Sequence, residues 1–500
     1  MHQIVRYREF HAEKPNATQR ELVRDTILDI SIPCFYMAFT TAIGFTSLAV
    51  SDIRPVIDFG WMMTIGIGVS FLVTFILFPA VLMFLKPSHP PVQYDFTGKI
   101  TRFFARIIKS HGKLILTIFA VLMLLSIWGI NQLYVQNRFI DYYKKDTDIY
   151  QGMEMIDRKL GGTTPFEVII DAPTGFIQMQ KAERAYLKKE GFWIEETGPK
   201  LVEGYWTGEE SQKQVATIHE YLDGLEESGK VLSFYSTAQL LKDLDEKKTL
   251  NRQYLGVLYQ KLPDEVRSIL FDPYISEDGN QLRFSLRVYE SKQGQDREAL
   301  VQKIRTHLIE NLKLQPEQVN LTGMMVLYNN VLQTLFESQI LTVGLVFITM
   351  FSIFLLLFRN LKVAAVAIVP NITIVALVLG VIGWFGMPLD IMTITIAAIC
   401  FGMADDNTIH YIHRFRQEYA KHGDYWQAAR ESHNTIGRAM YYTSITVMFG
   451  FSILAFSNFM PTIYFGLLTG FSALVALLAN LALLPLIIIF FKPFGNHEIR

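Results

Sequence analysis

The chain alternates between long uncharged stretches and short charged ones, with one extended polar region among them. Uncharged runs occupy Ile30–Ser51, Phe59–Leu85, Leu114–Asn137, Ser338–Phe358 and Val363–Leu389. About 20 apolar residues suffice for one helix through a hydrocarbon core, so each run predicts a membrane span. Ala439–Phe491 carries no charge and is long enough for two spans, with Asn458–Pro461 as the turn. The segment that runs into Gly402–His410 is a further span, although it carries two adjacent carboxylates. The predicted fold class is therefore a polytopic α-helical membrane protein with eight transmembrane helices.

Between the first three spans and the last five the pattern changes. Phe166–Asp171 and Gln281–Tyr289 alternate apolar and polar positions, as half-buried strands do, and Val319–Leu321 reads as a short third strand. Glu209–Glu227, Thr237–Leu250 and Asp296–Leu314 have helical character. These elements predict an α+β domain with helices on one face of a sheet. Gly175–Gly208, rich in Gly, Lys and Glu, reads as an insertion without an assigned role. The expected layout is an N-terminal segment 1–29, a helix pair 30–87, a linker helix 88–112 and a span 113–137. The α+β domain at 138–337, five helices at 338–493 and a tail at 494–500 follow.

Residues 2–87 and 410–493 repeat one another. His2-Gln3-Ile4-Val5-Arg6-Tyr7-Arg8 matches His410-Tyr411-Ile412-His413-Arg414-Phe415-Arg416, and after a two-residue length difference the register is constant. Gly44-Phe45 then matches Gly450-Phe451, Pro55 matches Pro461, Phe59-Gly60 matches Phe465-Gly466, and Lys86-Pro87 matches Lys492-Pro493. Parallel duplication of this kind is a common way of building a transporter. The second copy is preceded by three helices and the polar domain and the first by nothing, so the pattern predicts that the chain lacks the start of its first half. A companion N-terminal half, or another copy of the chain, is the expected partner.

Lys and Arg in the short loops set the orientation. The N-terminal segment, the 86–113 connection, the 359–362 turn and the 414–438 loop hold them, whereas the 384–390 and 457–462 turns have none. By the positive-inside rule both termini are cytoplasmic and the α+β domain faces outward, in the inner membrane of the cell. Asp95–Lys109 reads as an amphipathic helix, with Phe96, Ile100, Phe103, Phe104, Ile107 and Ile108 on one face. Lys99, Arg102, Arg106 and Lys109 form the other face, which would meet anionic membrane lipids; a connecting helix packed on protein is the alternative.

Composition adds little beyond this. Half the residues are hydrophobic (50%), only 19% are charged, and the net charge of −1 is spread without a basic patch, which excludes nucleic acid as a partner. The two cysteines, Cys34 and Cys400, lie in different spans with no metal-ligand spacing. No phosphate-binding loop, zinc-protease motif or nucleophile elbow is present, so the chain is not read as an enzyme and no cofactor is expected. Gly66-Ile67-Gly68 reads as close helix packing, and Pro370-Asn371 as a kink.

The candidate chemistry lies in Gly402-Met403-Ala404-Asp405-Asp406-Asn407-Thr408-Ile409-His410. A carboxylate costs roughly 2.5–3.5 kcal/mol at the centre of a membrane helix, and acids there mark proton relays or ion pathways by default. Asp406 and His410 are four residues apart and Asn407 and His410 three, so on a helix they share a face. The alternative is a helix that ends at Ala404, with the acids as a solvated flank. Thr446, matched by Thr40 in the first copy, either faces the acids or bonds back to its own helix.

The twofold repeat, the domain after the first helix of the second half and the Gly402-x-x-x-Asp406 motif resemble the resistance–nodulation–division (RND) superfamily, in its MMPL-like hydrophobe-exporter branch. The resemblance implies helices five to twelve and the second porter-like extracytoplasmic domain of a twelve-helix exporter. It implies a proton relay through Asp405, Asp406, Asn407 and His410, supported by Gly402, Thr408 and Thr446. The family's second acid falls on Asn407 here, and Asp405 is an extra acid one residue early. The function so implied is proton-driven export of hydrophobic or lipid-like substrates. The alternatives are a sterol-sensing-like lipid- or protein-binding membrane protein and a protein-export accessory of the same superfamily.

Overall fold

The structure is a computed structural model that describes residues 2–50, 54–85, 96–133, 138–190, 200–244, 251–290, 297–389 and 391–495. Ser51 and Lys86-Pro87 of the repeat, 134–137, 191–199 of the expected insertion and the end of Thr237–Leu250 beyond residue 244 lie outside the described residues. In chain order come α1 (His2–Glu13), α2 (Gln19–Thr46), α3 (Arg54–Phe84) and α4 (Phe96–Ile130). Next are α5 (Asp148–Lys159), β1 (Thr164–Asp171), α6 (Thr174–Lys189), α7 (Glu209–Asp223), β2 (Ser228–Leu232) and α8 (Phe234–Leu244). Then follow α9 (Arg252–Lys261), α10 (Asp264–Leu270), β3 (Gln281–Val288), α11 (Arg297–Thr306), β4 (Val319–Thr322) and α12 (Met324–Phe358). The chain closes with α13 (Leu361–Trp384), α14 (Ile391–His422), α15 (Tyr425–Asn434), α16 (Ile436–Ser452), α17 (Met460–Leu478) and α18 (Leu484–Phe491). They fall into two compact units: Met1–Asn137 with Leu332–Arg500, and Arg138–Val331.

The first unit is helical. Among the described residues six helices are long and apolar enough to cross a membrane: Gln19–Val50, Arg54–Phe84, Thr97–Ile130, Leu361–Trp384, Ile436–Phe456 and Met460–Phe491. Val343–Phe358 is a shorter apolar helix, and the acid-bearing α14 packs among α2, α13, α16 and α17. The linker and the span after it are two helical segments, together labelled α4, joined at a kink where His111 leaves helical geometry (φ −127°, ψ 27°).

The duplication is visible atom by atom. In the first copy α2 ends in a 3-10 turn, Ser47–Val50; in the second α16 ends in one at Ile453–Phe456. Across these corners Phe45 meets Phe59 edge-on at 6.0 Å, and Phe451 meets Phe465 edge-on at 5.9 Å. Gly60 and Gly466 are required at both: a Cβ would lie 2.7 Å from the Phe45 carbonyl oxygen and 2.5 Å from that of Phe451. Thr18 caps the first copy's helix with a capping box to Glu21, and Asp424 caps the second. The copies then diverge, because α2 runs unbroken while the second copy breaks at Thr435 (φ −103°, ψ −89°) into α15 and α16.

The second unit is built on an antiparallel sheet of order β2-β3-β1-β4. Phe166, Val168 and Ile170 of β1 stand opposite Leu286, Phe284 and Leu282 of β3, all on one buried face. Val215, Ile218 and Leu222 of α7 and Leu300, Val301 and Ile304 of α11 join the core that covers that face. Glu167 and Arg283 pair on the other face. The helix expected over Glu209–Glu227 stops at Asp223, where Gly224 serves as C-cap and the chain turns into β2. Most of Gly175–Gly208 within the described residues is ordered structure, since α6 fills Thr174–Lys189.

Candidate functional site

Successive residues of a helix point about 100° apart, so four in a row sweep one full turn. In α14 each of four consecutive side chains reaches a different neighbour. Asp405 accepts from the Asn371 amide of α13, beside Pro370. Asp406 accepts from the Thr41 hydroxyl of α2 at 3.3 Å. Asn407 donates to Ser444 of α16 at 3.5 Å. Thr408 donates to the side-chain amide oxygen (Oδ1) of Asn480 at 2.7 Å, in a π-helical turn (Ala479–Leu483) that follows α17. A helix with polar groups on every side is affordable in an apolar bundle only when each finds a partner.

The two acids differ in their surroundings. Asp405 is fully buried, and among the described residues its Oδ2 and the Asn371 Oδ1 have no hydrogen-bond partner. Two acceptors are thus left over beside one carboxylate, and a proton on Oδ2 would turn one of them into a donor. Asp406 is half-buried and opens on an apolar cavity of about 570 Å³ between α2 and α3, lined by Cys34, Met37, Gly66, Ser70 and Phe71.

Gly402 explains the Gly-x-x-x-Asp spacing. It lies one turn before Asp406, its carbonyl accepts from Thr41 at 3.1 Å, and a Cβ there would lie 3.0 Å from the Thr41 methyl. The bare backbone lets α2 approach until the Thr41 hydroxyl, whose single proton goes to one acceptor at a time, lies within reach of the Gly402 carbonyl, the Asp406 carboxyl and the Met37 carbonyl of its own helix. Gly66 and Gly68 do not pack closely, contrary to expectation: a Cβ at either meets nothing within 4 Å, and Gly66 borders the cavity instead.

His410 is buried one turn beyond Asp406, in the wall of a smaller polar cavity of about 50 Å³, with room for a few waters. Arg6, Asp29, His413 and Arg414 share that wall, and Arg6 donates to Asp29 at 2.7 Å and to Glu9 at 2.8 Å. α14 does not end at Ala404 with a solvated acidic flank but continues to His422. Thr446 takes no part in the constellation. It is exposed and donates to its own helix at Tyr442, 2.8 Å away, because its position points it out of the bundle. Ser444 of the same helix and Thr41, next to the Thr40 singled out by the repeat, make the contacts instead.

Asn371, Thr41, Ser444 and Asn480 were not among the sequence candidates. For Asn371 and Asn480 the signal was present, as amides inside apolar spans. Among the described residues no group of three or more His, Cys, Asp or Glu is placed to hold a metal ion.

Comparison with known proteins agrees with this architecture. The model of the MMPL family matches residues 207–497. A crystal structure of SecDF, a translocon-associated membrane protein from Thermus thermophilus, is similar in fold, with TM-score 0.50 and 14% identity. The match covers 98% of this chain and 52% of that one, so the chain spans about half the length of that protein. No curated protein matches in sequence. With more than half its length matched by the family model, the chain belongs to the MMPL family, part of the RND superfamily.

Proposed function

We propose that the chain is part of an RND-type exporter that uses the proton-motive force to move hydrophobic or lipid-like substrates. One observation carries the reading: at the centre of the bundle stand two adjacent acids, one locked in the core by Asn371 and one facing a cavity. Neighbouring carboxylates in a low-dielectric site rarely ionise together, which suits a group that loads and unloads a single proton. In this reading Asp406 exchanges the proton and Asp405 holds the ground state. His410 receives the proton through the polar cavity, and α14 passes the change in charge to four neighbours. Eight spans, cytoplasmic termini and an inner-membrane location complete the reading. The apolar cavity over Asp406 is where a companion helix, from an N-terminal half or a second copy, closes the site.

The test is gradient-driven efflux of a fluorescent hydrophobic reporter from vesicles, with the companion half supplied. Asp406→Asn is expected to stop it, and efflux unaffected by that change would refute the proton role. A second reading shares the proton step and differs in cargo. The fold of SecDF, described as translocon-associated, supports a protein-export accessory. Stimulated export of a secreted precursor, with no reporter efflux, would select it.

A further inference from the structure

The amphipathic part of α4 packs against α15 and leaves a cleft of about 690 Å³ between them. Arg102, Arg106 and Lys109 of α4 and Arg430 of α15 line it, against two carboxylates, Asp424 and Glu431. Asp424 is already engaged, since it accepts from the backbone of Trp426 at 2.6 Å and of Gln427 at 3.1 Å as the cap of α15. Among the described residues none of Arg106, Lys109 and Arg430 is ion-paired with a carboxylate. Four cations against two carboxylates leave the cleft with an excess of positive charge. Its volume lies in the ligand-pocket range of roughly 300–1,000 Å³, more than a lone phosphate needs.

Its position says what would neutralise it. Lys109 lies two residues before the bend at His111, after which α4 continues as an apolar span. The cations thus stand at the depth where a bilayer keeps its headgroups. Trp426, which lines the cleft from α15, is 37% exposed, an aromatic of the kind that settles at a membrane interface. A soluble anion would use the charge and leave this side chain in water; a lipid uses both.

We infer that the cleft between α4 and α15 binds the phosphate headgroup of an anionic phospholipid, held by Arg106, Lys109 and Arg430, with its glycerol and acyl chains along Trp426. Each basic residue near a membrane surface contributes about a five-fold gain for an anionic lipid, so three together give about 100-fold.

The test is native mass spectrometry of the full chain in detergent, titrated with short-chain phosphatidylglycerol, short-chain phosphatidylcholine or inorganic phosphate. Wild-type protein is expected to prefer phosphatidylglycerol, and Arg106→Gln/Lys109→Gln/Arg430→Gln to weaken it by about 100-fold. The comparator Arg20→Gln/Lys362→Gln/Arg416→Gln removes the same charge from other exposed positions and is expected to change binding less than about two-fold. Equal losses in both variants would reduce the site to general electrostatic attraction and overturn the inference. So would equal affinity for phosphatidylcholine, or inorganic phosphate binding as tightly as the lipid, which would make it a free-anion site. If the triple variant does not fold, the three single variants are read instead, each with an expected loss of about five-fold. No loss in any of them also overturns it. Transport plays no part in the readout.

Discussion

Asp405 and Asp406 are neighbours in sequence, yet one faces an amide in the core and the other a cavity. Substituting each alone therefore separates storage of a proton from its exchange. Asp406→Asn keeps shape and hydrogen bonding but carries no proton, and is expected to lower proton-coupled efflux by about 100-fold or more. Asn407→Ala removes only the long bond to Ser444 and is expected to leave most of the flux. Asp405→Asn distinguishes a pair from a single carrier: full loss means the acids act together, and near-normal flux means Asp406 acts alone. A second contrast concerns stability. Thr408→Val leaves the side-chain amide oxygen of the fully buried Asn480 without its donor and is expected to cost about 1 kcal/mol, read as a lower unfolding midpoint in detergent. Thr446→Val, at an exposed hydroxyl bonded to its own helix, is expected to be silent. The sequence made Asp406 and Thr408 legible, because their cost in an apolar run demands a reason. It misassigned Thr446, because a repeat fixes register along a helix but leaves undetermined which of two adjacent hydroxyls faces inward.

Some elements with a regular apolar pattern could be read in advance, although α5, capped at Thr147, was not among them. β1 and β3 alternate over their whole length, and α7 shows an apolar stripe at Val215, Ile218 and Leu222. By contrast α6, whose residues are all at least partly exposed, lies in the stretch that the Gly, Lys and Glu content marked as an insertion. β2, Ser-Gly-Lys-Val-Leu, has no propensity to speak of and is a strand because it pairs with β3. The π-helical turn at Ala479–Leu483 is likewise set by its surroundings. His433 of α15 reaches into it, one ring nitrogen 2.9 Å from the Leu481 carbonyl and the other 2.7 Å from that of Ala429. A neutral imidazole has one N–H, so with Nε2–H donating to Leu481 its Nδ1 is left to accept from the Tyr411 hydroxyl at 3.1 Å; His433→Phe keeps the ring and leaves the Leu481 carbonyl without that donor and the buried Tyr411 hydroxyl without that acceptor. The expected cost is about 1–3 kcal/mol, measured as a lower unfolding midpoint of the full chain.

Arg138–Val331 has its own core and its own sheet, so expressed alone it is expected to unfold cooperatively as a monomer. An aggregated or unstructured product would place the boundary elsewhere. Its stability is also expected to depend on pH through His219, which meets Ser233 at 2.8 Å and is pushed by burial below the ordinary imidazole range. The unfolded chain then takes up the proton first. Stability is full above about pH 6.5 and declines as pH falls through the gap down to the lowered folded value. His219→Gln is expected to flatten that decline in a thermal melt followed across pH.

The corner built twice in the helical unit carries its own reference measurement. Gly60 and Gly466 press on equivalent carbonyls, and Phe45–Phe59 and Phe451–Phe465 meet with nearly the same geometry. A substitution made at one corner can therefore be read against the same substitution at the other, with the local chemistry cancelled. Whatever difference survives that subtraction belongs to the surroundings: an unbroken helix and an open cavity on one side, a broken helix on the other.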